Sequence, residues 1–396
     1  MRSGIPFWAA LLFVVNIFLP LRSQNKKHYP FIKYELNQLV LPKDSSTWIS
    51  LGNKLTTLKE GKNKEFVVLH IGDSHIQGDY FTGEIRKQLF EYAGTKIQSR
   101  GISFPYPLIS SNGPDELIYP PSKQFEGSSI RRPKEMFYPL TGYCIEGGDS
   151  SYSFTLKDTA GYRFNQILLY HSPTSISSLT INKAFPASTT LLEDSTAVSL
   201  FQTEDFHSEF ELQVKTVGRA KPIGIFGFSL QNTDNKILYH SVGINGATFG
   251  TFLKMDGVKE MLQHINPDCI VISYGTNDAL DRNLDSTRFK KQVSTSIAIL
   301  KEALPAVPLI FTTPGDHLLN KKYLNRKLPV ACNIIKQTAI VNNCAYWDFF
   351  NVMGGNNSIG IWYKNQLAYR DFIHLSKTGY KLQGDLFFSA FIKLAK

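Results

Sequence analysis

The run Phe66-Val67-Val68-Leu69-His70-Ile71 is short and mostly apolar, and it stops at Gly72-Asp73-Ser74. A strand buried on both faces reads this way, whereas a half-exposed strand alternates polar and apolar residues. Phe81, Ile85, Leu89 and Phe90 then recur at helical spacing. Ser74 therefore stands on a tight strand-to-helix turn, which exposes a side chain and aims backbone N–H groups at one point. The unit recurs. Cys269–Ser273 leads into Gly275-Thr276-Asn277-Asp278, with a helix expected from Ser286 to Leu304. Pro308–Thr313 is a strand ended by Pro314-Gly315, a helix covers Leu328–Val341, and a strand covers Ala345–Phe350. A last helix runs from Lys377 to Leu394 with Ser376 as its N-cap. Strands alternating with helices predict a parallel sheet covered on both faces, with ligands at the C-terminal strand ends.

Between Gly101 and Tyr239 the helical periodicity fades. Residues 101–150 are rich in Pro, Gly and Ser. Behind them come β-like segments at Ser151–Leu156, Phe164–Tyr170, Ser178–Ile181, Thr196–Phe201, Phe210–Val214 and Ile223–Leu230. Turn residues separate them, which predicts a β-sandwich inserted into the α/β domain. The expected domains are 24–100 with 240–396, interrupted by 101–239.

Three pieces at strand ends or in loops carry chemistry. Ser74 is a candidate nucleophile, His374 a base, and Asp371 the acid that orients it. An i, i+3 pair can meet on one side of a loop or first helical turn. Asn277 offers a side-chain amide to a developing oxyanion. The order Ser…Asp…His matches α/β-hydrolases, but Ser74 lacks their G-x-S-x-G elbow, so a different fold is expected.

Gly72-Asp73-Ser74, Gly246, Gly275-x-Asn277-Asp278 and Asp371-x-x-His374 resemble the four blocks of the SGNH (GDSL-type) hydrolases. The resemblance implies a three-layer, flavodoxin-like α/β/α fold. It also implies a Ser74–His374–Asp371 triad and oxyanion donors from the Ser74 N–H, the Gly246 N–H and the Asn277 amide. Gly243 competes with Gly246 for the second donor. The first block departs from the pattern with His75 in place of Leu; packing in the turn is the preferred reading, since His374 already supplies a base. Ser74 and Gly246 stand 246 − 74 = 172 positions apart, and the insertion lies between them. That arrangement is similar to bacterial peptidoglycan O-acetylesterases, in which a carbohydrate-binding-module-like β domain interrupts the same place. Arg100 to Pro107 also resembles the R-G-x-x-F-P-Y-P of exported SGNH proteins. The implied activity is removal of O-acetyl groups from glycans, with an acylhydrolase, an O-acetyltransferase or a glycan-binding protein with a relic site as alternatives.

Other residues are weighed against duller roles. Asp73 is expected to tie its turn together and Asp278 to cap the segment after it. Asp316-His317 are adjacent, a poor geometry for orienter and base. Tyr106, Tyr119, Tyr138 and Tyr143 could stack on sugar rings, with packing the commoner use. Cys144, Cys269, Cys332 and Cys344 lack C-x-x-C spacing, so metal ligation is not expected, and Cys332–Cys344 is the nearest pair for a disulfide. No organic cofactor is implied.

The N-terminus reads as a secretory signal over residues 1–23: Arg2, an apolar stretch from Ile5 to Leu19, then Pro20-Leu21-Arg22-Ser23. The stretch is short for a membrane span, which needs about 20 apolar residues; an uncleaved anchor is the alternative. Lys+Arg minus Asp+Glu is 43 − 33 = +10, and loss of Arg2 and Arg22 leaves 10 − 2 = +8. An exported, bacterial, periplasmic or secreted protein of this charge suits an anionic wall or polysaccharide. There is no nucleic-acid motif, and nothing in the sequence speaks to the oligomeric state.

Overall fold

The computed structural model describes residues 27–44, 46–119, 125–134, 136–147, 151–173, 177–193, 196–216 and 223–395. The expected signal segment, 1–23, lies outside them. Residues 31–396 cluster as one unit.

A mixed sheet forms its centre. Five parallel strands, β1 (Glu65–Gly72), β2 (Lys236–Gly243), β3 (Cys269–Ser273), β4 (Leu309–Thr312) and β5 (Ala345–Trp347), lie in the order β5-β4-β3-β1-β2. The two-residue segment Leu39–Val40 adds an antiparallel edge to β5. Every residue of β1 after Glu65 is buried, as its unbroken apolar run requires. One helical layer comprises α1 (Ser46–Lys59), α2 (Tyr80–Ala93) and α6 (Lys377–Phe391); the other comprises α3 (Val258–Ile265), α4 (Ser286–Ala303) and α5 (Leu328–Val341). The architecture is the three-layer, flavodoxin-like one. Ser376 caps α6 by accepting the Gly379 N–H at 3.2 Å. The expected strand 345–350 is corrected. It stops at Trp347 because the Asp348 side chain caps a short helix, Phe349–Val352.

The inserted strands form two antiparallel sheets. The larger runs Ser188–Leu191, Ala197–His207, Phe164–His171, Ile225–Gln231, Tyr143–Gly147, Phe125–Ser129, with Gly101–Ser103 also paired to Ile225–Gln231. The smaller runs Leu117–Ile118, Ser151–Asp158, Glu209–Thr216, Ser177–Ile181. Ser151–Asp158 buries alternate residues, the period-2 signature of one inward face. Phe210 bridges the layers, 5.6 Å from Phe228 and 6.1 Å from Phe164 by ring centroid. Residues 236–239, assigned from the sequence to the insertion, belong instead to β2. They pair in register with residues 65–68 of β1, so the sandwich strands end at Gln231.

A buried ionic network ties the two parts together. Asp79, just before α2, accepts two hydrogen bonds from Arg86, at 2.8 and 2.9 Å, and one from Arg100 at 2.9 Å. Arg100 also pairs with Asp158 of the sandwich, and all four side chains are buried. Paired burial of this kind holds charges that singly could not be buried. All four cysteines are free and buried. Cys332 and Cys344 therefore form no disulfide: Cys332 lies within α5 and Cys344 just after it, each buried in the apolar core.

Candidate active site

Strand register brings the motifs together. Gly72 of β1 pairs with Gly243 of β2 on one side and with Ser273 of β3 on the other. Three strands thus end level, and the turns carrying Ser74, Gly246 and Asn277 emerge side by side. The fourth piece comes from the loop before α6. The Tyr369 N–H donates to the His374 carbonyl at 2.9 Å, closing a tight loop with Asp371 and His374 on it.

The Ser74 hydroxyl donates to His374 Nε2 at 2.9 Å, and His374 Nδ1 donates to Asp371 Oδ2 at 2.7 Å. Asp371 Oδ1 accepts the N–H groups of Ile373 and His374, at 2.9 and 3.0 Å. Partial burial raises the Asp371 pKa, but the His374 bond and the two backbone donors outweigh it and hold this carboxyl well below its ordinary range. An ionised Asp371 fixes the His374 tautomer with Nε2 free to accept.

Ser74 opens the short helix Ser74–Gln77, for which Asp73 is the N-cap; its Oδ1 accepts the His75 N–H at 3.0 Å. The role expected for Asp73, tying the turn, matches this contact. Burial pushes Asp73 up to about 7, against the His75 hydrogen bond. Asn277 Nδ2 donates to the Ala247 carbonyl at 2.9 Å and has Asp73 Oδ2 at 3.4 Å. Asp278 does not cap the segment after it. It lies inside the helix Thr276–Leu280 and accepts the Phe249 N–H at 3.3 Å, reaching back to the β2 side; burial pushes it too up to about 7.

Gly246 and Gly243 differ. Gly246 adopts φ +72°, a left-handed turn, and lines the same cleft as Ser74, Asn277 and His374. Gly243 ends β2 against the backbone of Gln77, where a Cβ would come within 2.1 Å of the Gln77 nitrogen. Gly243 is thus a packing glycine away from the cleft.

His75 is buried. Its Nδ1 pairs with the Tyr380 hydroxyl at 2.9 Å, and its ring stacks on that of His374 at 5.0 Å between centroids. Burial, then the neighbouring His374, hold it well below the usual imidazole range. A neutral His75 ring stacks on His374 without placing a second positive charge beside it. Asp316 and His317 are buried behind the site: Asp316 Oδ2 accepts the Ile359 N–H at 3.0 Å, and His317 Nε2 accepts from Asn325 at 2.9 Å. Tyr106, Tyr138 and Tyr143 are core residues and Tyr119 packs on the core, so none is a sugar platform.

The cleft has a volume of about 570 Å³ and is lined further by Tyr80, Asn112, Asn245 and Tyr369. Among the described residues no group of His, Cys, Asp and Glu side chains could hold a metal ion. No described helix is long and apolar enough to cross a membrane. Sequence reasoning missed Gln77. Its Oε1 accepts the Asn245 N–H and the Tyr143 hydroxyl, each at 2.7 Å, bracing the turn that carries Gly246.

Comparison with known proteins gives a match to a family over part of the chain and a match of fold over most of it. Residues 211–387 match the family described as GDSL-like Lipase/Acylhydrolase, a span that includes Gly246, Asn277, Asp371 and His374 but not Ser74. No curated protein matches the chain. Among solved structures, a peptidoglycan O-acetylesterase superposes with a TM-score of 0.75 at 22% identity, covering 90% of this chain and 98% of its own. A GDSL-like lipase of Bacteroides thetaiotaomicron (17% identity, 40% of this chain, 75% of its own, TM-score 0.30) overlaps too loosely to bear on the argument. So does a family two carbohydrate esterase of Clostridium thermocellum (10%, 69%, 96%, 0.30). Residues 211–387 are thus similar to the GDSL-like lipases and acylhydrolases, and the chain shares the fold of the peptidoglycan O-acetylesterase.

Proposed function

We propose that this chain is an exported carbohydrate O-acetylesterase, with O-acetylated peptidoglycan as its favoured substrate and Ser74, His374 and Asp371 as its triad. The observation that carries the mechanism is the unbroken hydrogen-bonded line from the Ser74 hydroxyl through His374 to Asp371, open to a cleft. Ser74 Oγ attacks the acetyl carbonyl while His374 Nε2 takes its proton. The oxyanion is met by the N–H groups of Ser74 and Gly246 and by the Asn277 amide, donors aimed where charge develops. His374 returns the proton to the departing sugar oxygen, leaving acetyl on Ser74. It then deprotonates a water that attacks the acetyl-enzyme, releasing acetate and restoring the Ser74 hydroxyl.

Two features favour sugar over lipid. The cleft wall carries Asn112, Asn245, Tyr80 and Tyr369, which suit hydroxyl-rich rings better than an acyl chain. The similar fold, insertion included, is that of a protein acting on peptidoglycan. Export rests on the signal-like sequence of residues 1–23. The test is acetate release by the purified protein from O-acetylated peptidoglycan, set against hydrolysis of long-chain p-nitrophenyl esters. Acetate release with poor long-chain turnover supports the reading; the reverse pattern makes the protein a lipase.

A further inference from the structure

A second pocket, of about 600 Å³, opens beside the catalytic cleft and shares Asn245 and Gly246 with it. Its wall carries Arg131, Arg132 and Lys134 from the inserted region and the hydroxyls of Ser110, Ser111, Ser128 and Ser129, and among the described residues it has no carboxylate. Lys134 is paired with Glu126 at 3.1 Å. Among the described residues Arg131 and Arg132 have no ion pair. Arg131 also reaches the site itself. A Cβ built on Gly246 would lie 3.3 Å from its Nε and 3.6 Å from its Nη2. A guanidinium therefore stands against the turn proposed to bind the oxyanion.

The geometry points to an anion subsite: Arg131 and Arg132 bind a carboxylate carried on the sugar whose acetyl ester Ser74 attacks, or on the adjacent sugar. This deepens the esterase reading above and rests on it. The distance suits the role. The ester carbonyl must lie about 3 Å from both the nucleophile and the oxyanion donors. A carboxylate a few ångströms beyond Gly246 on the same saccharide then falls in the basic pocket. Guanidinium is the side chain best matched to a carboxylate, through paired N–H donors. The hydroxyls on the wall offer further donors. A neutral acetylated polysaccharide leaves both guanidinium groups unanswered, so the pocket selects among acetylated glycans by charge.

The test uses O-acetylated bacterial wall glycan strands freed of peptide by an amidase, so that the remaining carboxylates sit on the sugars. The same strands, with those carboxylates converted to amides by carbodiimide coupling, are the neutral control. Acetate release is measured with the wild-type full chain and with Arg131→Ala, Arg132→Ala and the double variant, each checked for an unaltered melting transition. The wild type is expected to prefer the carboxylated strands at least tenfold in kcat/KM. The preference shrinks as salt screens the charges, and it falls to within about twofold in the double variant. Equal turnover of both polymers by the wild type overturns the inference, as does a preference that survives the double substitution. An equal loss on both polymers in Arg131→Ala also overturns it, placing that residue at the oxyanion or in the fold. Failure of the wild type to release acetate from either polymer defeats the glycan esterase reading, and this subsite with it.

Discussion

Asp371→Asn isolates what the acid of the site does. In the native loop Asp371 Oδ1 holds the N–H groups of Ile373 and His374 at 2.9 and 3.0 Å, and Oδ2 holds His374 Nδ1–H at 2.7 Å. An asparagine keeps Oδ1 for both backbone donors, so the loop retains its shape. Its amide nitrogen then faces His374 Nδ1 with hydrogens of its own. Two donors repel, and the imidazole relieves this by moving its proton to Nε2. That nitrogen sits 2.9 Å from Ser74 Oγ and must accept the hydroxyl proton for attack to begin. The wrong tautomer removes the base while leaving every heavy atom near its place. The expected loss is about 10³- to 10⁴-fold in kcat, or about 4–5.5 kcal/mol of barrier, with KM changed less than about threefold. Initial rates on p-nitrophenyl acetate measure it, and a thermal melt checks folding. A folded Asp371→Asn enzyme within tenfold of wild-type kcat refutes the argument that Asp371 sets the tautomer.

Other substitutions probe separate parts of the account. Asn277→Ala removes an amide whose second N–H has only the weak 3.4 Å contact to Asp73; kcat for p-nitrophenyl acetate is expected to fall about 10²- to 10³-fold, and a loss under fivefold excludes it as a donor. Asp158→Ala leaves two buried guanidinium groups to share Asp79, and urea unfolding is expected to show about 3 kcal/mol of destabilisation; a change under 1 kcal/mol denies the network its part in joining insertion and sheet. His70 lies between the Tyr239 hydroxyl at 2.8 Å and the Ser273 hydroxyl at 2.6 Å, and burial lowers its pKa from 6.5 to about 3. Below pH 6.5 the unfolded chain takes up a proton that native His70 refuses, so acid favours unfolding. Relative to His70→Gln, the wild type should lose about 1.6 kcal/mol between pH 6.5 and 5, the slope approaching about 1.4 kcal/mol per unit as the unfolded histidine becomes fully protonated; a gap that does not change with pH shows that His70 is not held neutral.

The core of the fold was legible because doubly buried strands write themselves as unbroken apolar runs. β1 and β3 were visible for that reason, and α4 and α5 matched their expected spans within a residue. Fringe elements were not. Ser188–Leu191 is exposed throughout and Phe125–Ser129 buries only Ser128, so neither carries a periodic signal. The end of β5 was misjudged because Phe349 and Phe350 are as apolar as a strand; the stop is set by Asp348, whose capping bond is a local contest that hydrophobicity does not register. The residues proposed for catalysis stood out through the resemblance of their motifs. Gln77 and Arg131 did not, since their value comes from partners far along the chain: Gln77 meets Tyr143 and Asn245, and Arg131 meets Gly246.

The central claim is that Ser74 carries the acetyl group from glycan to water. Acetate released from O-acetylated peptidoglycan by wild type and by Ser74→Ala, at equal concentrations of folded protein, tests it most directly. The account predicts steady release by the wild type and a rate at least about 10³-fold lower in the variant. A variant that releases acetate within tenfold of the wild-type rate contradicts it.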